Sequence, residues 1–436
     1  MKRYSCDFNR KGSASWKIPL MVGLVVLLCI AAVGLLAASG AFDALLGRTP
    51  GEAVAVSASE APSSAEEPSG EPEPAKAPDS VVRLKAVGDN LIHDSIYRQA
   101  AEYAGGNGYD FSPMYAPIAD EIADADLSYI NQETIIAERL YPLSGYPMFN
   151  SPEAVGRHMV EIGFDVVSIA NNHMLDMGEK GLAAALDFWQ EQGVTVFGAW
   201  RSEADMQKPI LTETNGITIA WVPMTQMTNG LSLPAGSEMR YLLCDETELL
   251  RQQVELAKEN ADFVIAVPHW GDEYVLDANE YQKTLAQQLA DWGVDLILGS
   301  HSHTLQPVEW RTGEGGNRTL VVYSLGNFIG NMLYPQNMIG GLLDLDITKD
   351  GETGETTITR VEVLPTIIHY EGLAKNIRVY PVTEYTAELA ARHGMEQLDA
   401  LYDVVPTQKL TLPYIRSVIE HSIPAEFREN LDLSGM

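Results

Sequence analysis

The chain has 436 residues, with 60 acids against 29 bases, a formal net charge of −31 and 46% hydrophobic residues. The apolar fraction supplies a sizeable core and excludes a disordered polypeptide, while so acidic a chain without a Lys/Arg cluster excludes nucleic acid as a partner. The charge is uneven: +4 over residues 1–50, −6 over 51–80 and −29 over 81–436.

Residues 1–17 are basic, and 18–38 (IPLMVGLVVLLCIAAVGLLAA) are 21 residues without a charge. That length lets one helix cross a hydrocarbon core of roughly 30 Å. The basic flank precedes the run, so the positive-inside rule leaves residues 1–17 in the cytoplasm and the main domain extracellular. A cleaved signal peptide is the alternative, but its apolar region spans only about 7–15 residues. The expectation is a single-pass anchor in the cell membrane, followed at 39–80 by a Pro/Ala/Ser/Glu linker extended by proline and charge repulsion. Of Cys6, Cys29 and Cys244, only the last lies beyond residue 50, so the body has no intrachain disulfide, and no CxxC or Cys/His finger is present.

The folded body is expected from Val81. VVRLKAVGD (81–89) predicts a buried strand running into a turn, 113–125 a helix, and LSYINQE (127–133) a second strand. A helix over 152–162 follows, with Ser151 as N-cap and Pro152 at its first position. DVVSIANNH (165–173) predicts a third strand, 178–192 a helix and VTVFGA (194–199) a strand. Then come a helix at 246–260, a strand at 262–271, a helix at 278–292 and the strand VDLILGSHSH (294–303). Beyond 305 the pattern is richer in strands, and 376–436 reads as a helical C-terminal extension to a domain over 81–375. This alternation predicts an α/β fold with a layered sheet core.

The polar residues fall at the ends of five apolar strands: Asp89; Asn131 and Glu133; Asn172 and His173; His269; His301 and His303. Strand ends open onto the ligand crevice of an α/β sheet, so residues far apart in sequence converge there. Singly, each has an ordinary reading as a turn residue, a cap or a packed histidine. Jointly, four of nine histidines at strand ends, with His301 and His303 two apart and therefore on one side of a strand, predict a metal site. Imidazole, carboxylate and amide donors suit zinc, manganese or iron, one ion or two, rather than calcium.

VGDNLIHD (87–94), NQETI (131–135), IANNHMLDMG (169–178), PHWGDEY (268–274), GSHSHTLQP (299–307) and YSLGNF (323–328) resemble the CapA capsule-synthesis family, whose members are linked to poly-γ-glutamate capsules and are distant relatives of calcineurin-like metallophosphatases. The motifs keep the family's order across 82–330. The resemblance implies a four-layer α/β/β/α metallophosphatase sandwich and a role with the capsule polymer and its synthesis or export proteins. It implies Asp89, Glu133, Asn172, His269, His301 and His303 as metal ligands, and His173 as the histidine that assists the leaving group. One departure stands out. The phosphatase D-x-H motif has lost its histidine, because Leu91 follows Asn90; His93 is either a replacement ligand or a helix-start residue. Glu273 is read as a general base, an orienter of His269 or a loop acid, and Asp176 as a helix cap or a partner of His173. Asn131 supports the site and Asn327 fixes a turn beside it. Trp270 and Tyr274 form either an aromatic platform or rim packing. A hydrolase and a non-catalytic assembly factor both remain open.

Overall fold

The computed structural model describes residues 78–401 and 408–436. The apolar run at 18–38 and nearly all of the linker lie outside the described residues, among which no helix is long and apolar enough to cross a membrane.

In chain order the strands are β1 (Ser80–Asn90), β2 (Leu127–Asn131), β3 (Val166–Ser168) and β4 (Thr195–Phe197), then β5 (Ile210–Thr214), β6 (Ile217–Thr225), β7 (Phe263–His269) and β8 (Leu296–Leu298). They continue with β9 (Val308–Thr312), β10 (Arg318–Val322), β11 (Asn327–Ile329), β12 (Ile339–Lys349), β13 (Thr356–Glu371) and β14 (Lys375–Pro381). The longer helices are α1 (Asp94–Tyr103), α2 (Glu153–Glu161), α3 (Gly178–Glu191), α4 (Thr247–Asn260), α5 (Glu280–Asp291) and α6 (Leu412–Ser422).

Two mixed sheets result. The first has eight strands in the order β14-β13-β12-β1-β2-β3-β4, with β11 joined to the end of β1; the second has six in the order β5-β6-β7-β8-β10-β9. Parallel pairing of β1 through β4 and of β6 through β8 follows from the helical crossovers between them, whereas β10 reaches its parallel place beside β8 through the edge strand β9.

Side-chain alternation on the second sheet shows how the layers stack. Ile217, Ile219, Trp221, Phe263, Ile265 and Val267 face a core shared with Val82, Leu84 and Tyr129 of the first sheet. Their neighbours Ala220, Val222, Val264 and Ala266 face a separate core with Leu250 and Val254 of α4 and Leu285 and Leu289 of α5. Trp221 stacks on Tyr129 at 5.7 Å and lies 5.5 Å from Phe197, so the inner faces of the two sheets meet. On the first sheet α2 and α3 pack at Gly156, where a Cβ would come within 2.4 Å of Phe188.

Several local expectations need correction. The helix expected over 113–125 is two short pieces, Ser112–Tyr115 and Ala119–Ala123, separated at Pro117. Pro152, not Ser151, occupies the N-cap position of α2, because Ser151 Oγ is engaged with Thr134 Oγ1 at 2.7 Å. The strand expected to run through His303 ends at Leu298. His301 and His303 stand on a loop at φ 95° and 55°, so same-side strand geometry does not bring them together.

Candidate metal centre

β1 delivers Asp89 and β2 delivers Asn131, which are register partners across the parallel pair. Both are buried at the end of the first sheet, and Asn131 Nδ2 donates to Asp89 Oδ1 at 2.7 Å. Two residues on, Glu133 is 0% exposed and neither carboxylate oxygen has a hydrogen-bond partner. A native structure rarely leaves such a group unpaired unless an ion or a chemical role accounts for it.

The partners that Glu133 lacks as hydrogen-bond donors are present as lone pairs. One donor atom each from Glu133, His269 and His301 lie within 4.8 Å of one another, and so do donor atoms of Asp89, Glu133 and His303. Glu133 belongs to both groups. His269 Nδ1 is held by Ser300 Oγ at 2.8 Å, so its Nε2 faces Asn172 Oδ1 at 2.9 Å, His301 Nδ1 at 3.1 Å and Glu133 Oε1 at 3.7 Å. His303 Nδ1 meets Asn327 Oδ1 at 3.0 Å, leaving Nε2 3.7 Å from Glu133 Oε1, while Nδ1 also lies 3.4 Å from Asp89 Oδ2. Acceptor facing acceptor in a buried space, around an unpaired carboxylate, is the donor chemistry a divalent cation fits.

The protonation shifts agree for two of the histidines. Burial, reinforced by the neighbouring histidines, lowers His269 well below its usual range and His301 to about 4, which keeps both imidazoles neutral. Burial alone would do the same to His303, but Glu133 and Asp89 outweigh it and raise His303 to about 10. Burial also raises Glu133 well above the carboxylate range.

His173 stands beside this cluster. Asp176 Oδ2 lies 2.8 Å from His173 Nδ1 and accepts the Phe149 N–H at 2.7 Å, so Asp176 holds His173; the N-cap position of α3 is Met177. Phe149 packs edge-on against His173 at 4.7 Å and against His93 at 5.4 Å. His93 stands at the N-cap position of α1, with Nδ1 3.2 Å from both the Leu91 carbonyl and the Asn331 N–H, and burial lowers it to about 4. It joins neither donor group among the described residues. Glu273 is exposed, yet its charge acts on Glu133, His301 and His303, which places it at the rim. Trp270 is no platform: it is 0% exposed and donates to the Tyr323 carbonyl at 2.9 Å. Tyr274 does reach the rim, stacked 6.0 Å from His303.

Other residues had no assigned place in the sequence reading. Asn171 donates to the Gln132 carbonyl at 3.0 Å and accepts from the His173 N–H at 3.1 Å; Asn337 Nδ2 donates to the His303 carbonyl at 2.9 Å. Asn229, from the loop after β6, meets Asn172 Nδ2 at 3.4 Å. Asn171 and Ser300 sit inside NNH and GSHSH, so their motifs carried a signal. Asn229, from a loop, and Asn337, from the short 3-10 helix Pro335–Met338, lie in segments with none.

A two-sheet α/β protein with a buried carboxylate–histidine cluster at its strand ends is the class this geometry defines. Residues 83–332 match the family described as bacterial capsule synthesis protein PGA_cap, and the chain belongs to that family. It is 32% identical over 204 residues to the PGA biosynthesis protein CapA of Bacillus subtilis (strain 168), covering 47% of this chain and 52% of that one. It is 28% identical over 207 residues to the capsule biosynthesis protein CapA of Bacillus anthracis, covering 46% and 49%. The chain thus spans about half the length of the curated relatives it matches. Among solved structures it resembles a phosphatase from Mycoplasma pneumoniae, at 12% identity and a TM-score of 0.39 over 66% of this chain and 94% of that one.

Proposed function

We propose that the protein is a divalent-metal-dependent hydrolase of a capsule or cell-envelope polymer, anchored by residues 18–38 with its main domain outside the cell. The Bacillus subtilis relative is named for PGA biosynthesis and the Bacillus anthracis one for capsule biosynthesis, which supports poly-γ-glutamate as the polymer. The observation that carries the reading is Glu133, buried, without a hydrogen bond and common to both donor groups. Asp89, Glu133 and His303 would hold one ion; Glu133, Asn172, His269 and His301 would hold another.

Bound there, a divalent ion supplies Lewis acidity toward an acyl or phosphoryl oxygen and makes water easier to deprotonate near neutral pH. The chain's own residues do the rest. Asp176 fixes the orientation of His173 through Nδ1, which leaves Nε2 as the nitrogen that gives a proton to the leaving group. Phe149, 1% exposed and edge-on to His173, keeps water from that side of the ring. Glu273 at the rim stands where it can accept a proton from solvent-derived water.

A second reading is a non-catalytic assembly or export factor for the polymer. The buried Leu91 in place of the D-x-H histidine favours it. The test is metal stoichiometry of the purified full chain in detergent, followed by assays on bis-p-nitrophenyl phosphate and poly-γ-glutamate side by side. Cleavage of either that depends on metal supports the hydrolase and names the bond. Metal without cleavage supports the assembly factor, and no metal overturns the centre itself.

A further inference from the structure

Helix α6 (Leu412–Ser422) lies outside the family match over 83–332. Thr411 caps it by accepting the Tyr414 N–H, and Ile415, Val418 and Ile419 seat its inner face in the core shared by the two sheets. Three of its polar side chains reach three separate segments, two loops and the short 3-10 helix Pro335–Met338. Ser422, 0% exposed, donates from Oγ to the Leu305 carbonyl at 2.7 Å. His421 Nε2 lies 3.0 Å from Asp277 Oδ1, and Tyr414 OH donates to Gln336 Oε1 at 3.4 Å.

Two of these segments carry residues of the centre or its rim, and the third, the 3-10 helix, touches the ligand loop. Leu305 follows His303 by two residues. Asp277 ends the segment that carries Glu273 and Tyr274, and its carbonyl and that of Val275 accept from Gln306 Nε2 at 3.2 and 2.9 Å. Gln336 Nε2 donates to the Tyr274 carbonyl at 3.4 Å, and the adjacent Asn337 holds the His303 carbonyl. The segments are therefore tied to one another and, separately, to α6. The ligand loop needs such ties, because His301 and His303 both have positive φ. A residue other than glycine stays in that region only where its surroundings over-determine it.

We infer that α6 is a positioning element of the metal centre, with Ser422 holding the His301–His303 loop through Leu305. The metal readout rests on the metal-centre reading, whereas the positioning of the loop does not. The test uses the full chain in detergent, comparing Ser422→Ala and the triple variant Tyr414→Phe/His421→Ala/Ser422→Ala with Glu420→Ala, an exposed change on the same helix. Amide hydrogen exchange is followed without metal, and Mn²⁺ affinity by titration.

Loss of one buried hydrogen bond predicts about tenfold faster exchange across 299–306 and about tenfold weaker Mn²⁺ binding in Ser422→Ala, more in the triple variant. Exchange in β1 stays unchanged, and Glu420→Ala matches the wild type in both measurements. Unchanged exchange at 299–306 overturns the inference, as does a uniform rise through the whole body, which a merely structural helix would give. Should the wild type bind no Mn²⁺, the metal-centre reading fails and the exchange comparison alone decides whether α6 positions the loop.

Discussion

Glu133→Gln separates stability from metal binding, because the two move in opposite directions. In the metal-free protein the change keeps the shape and removes an acid that, fully buried with neither oxygen hydrogen-bonded, must either carry its charge there or take up a proton to lose it. The penalty for burying an isolated carboxylate is several kcal/mol, and His303 Nε2 at 3.7 Å offsets only part of it. A net stabilisation of about 1–2 kcal/mol is expected, which raises Tm by about 1–3 °C for a body of about 350 residues. With Mn²⁺ at a hundredfold excess over Kd the wild type gains about 2.7 kcal/mol. The variant, lacking the carboxylate common to both donor groups, gains much less, so the order of melting reverses. Thermal unfolding of the full chain with EDTA and with Mn²⁺ measures all four values. If metal-free Glu133→Gln melts below the wild type while Mn²⁺ raises both equally, the assignment of Glu133 as the shared ligand is refuted.

His301→Ala combined with His303→Ala should abolish metal content, read by elemental analysis, with circular dichroism unchanged. Asp176→Asn should lower turnover of bis-p-nitrophenyl phosphate by about 10²-fold with metal content retained, the scale of a lost general acid; full activity would remove the role of Asp176 in orienting His173. Gly299→Ala should destabilise by more than about 3 kcal/mol, seen as lost soluble yield, since a Cβ there would stand 2.0 Å from the Tyr323 carbonyl oxygen and 2.7 Å from Trp270 Nε1. Titration with Mn²⁺ should fill two positions in sequence, because the group at Asp89 lacks the ligand that Leu91 replaces while the group at His269 also has Asn172; two equal tight sites would contradict that asymmetry.

Much of this centre was legible in the sequence because β1, β2 and β7 place their donors directly. Asp89, Asn131 and His269 lie within or at the end of apolar strands, and strand ends converge by topology alone. The histidine pair was found for a reason that does not hold. Its loop is shaped by contacts far apart in the chain, such as the His301 N–H to Asp89 Oδ2 at 3.2 Å across 212 positions, and no local pattern encodes those. The sequence leaves Trp270 open between an aromatic platform and rim packing, because an aromatic beside a ligand suits either. Its indole N–H is instead taken by the Tyr323 carbonyl inside the core of the second sheet. Ser151 looked like a helix cap by residue type, but its hydroxyl had a better partner in Thr134.

The electrostatics of the cluster bear on how a substrate could be held. The charges acting on Glu133, His269, His301 and His303 are chiefly those of one another and of Asp89, Asp176, Glu273 and His173; no lysine or arginine is among them. Residues 81–436 carry −29 overall. An anionic polymer approaching this body therefore meets like charge except where a bound cation offsets it, and exposed like charges repel within about a Debye length of 8–10 Å at ordinary salt. On the hydrolase reading, such a polymer is gripped at the bond that reacts rather than along its length. The ion then serves binding and chemistry together, so metal removal should weaken polymer binding as well as turnover. An assembly factor that met the polymer on a surface away from the cluster would keep that binding in EDTA, which separates the two readings even where no cleavage is seen.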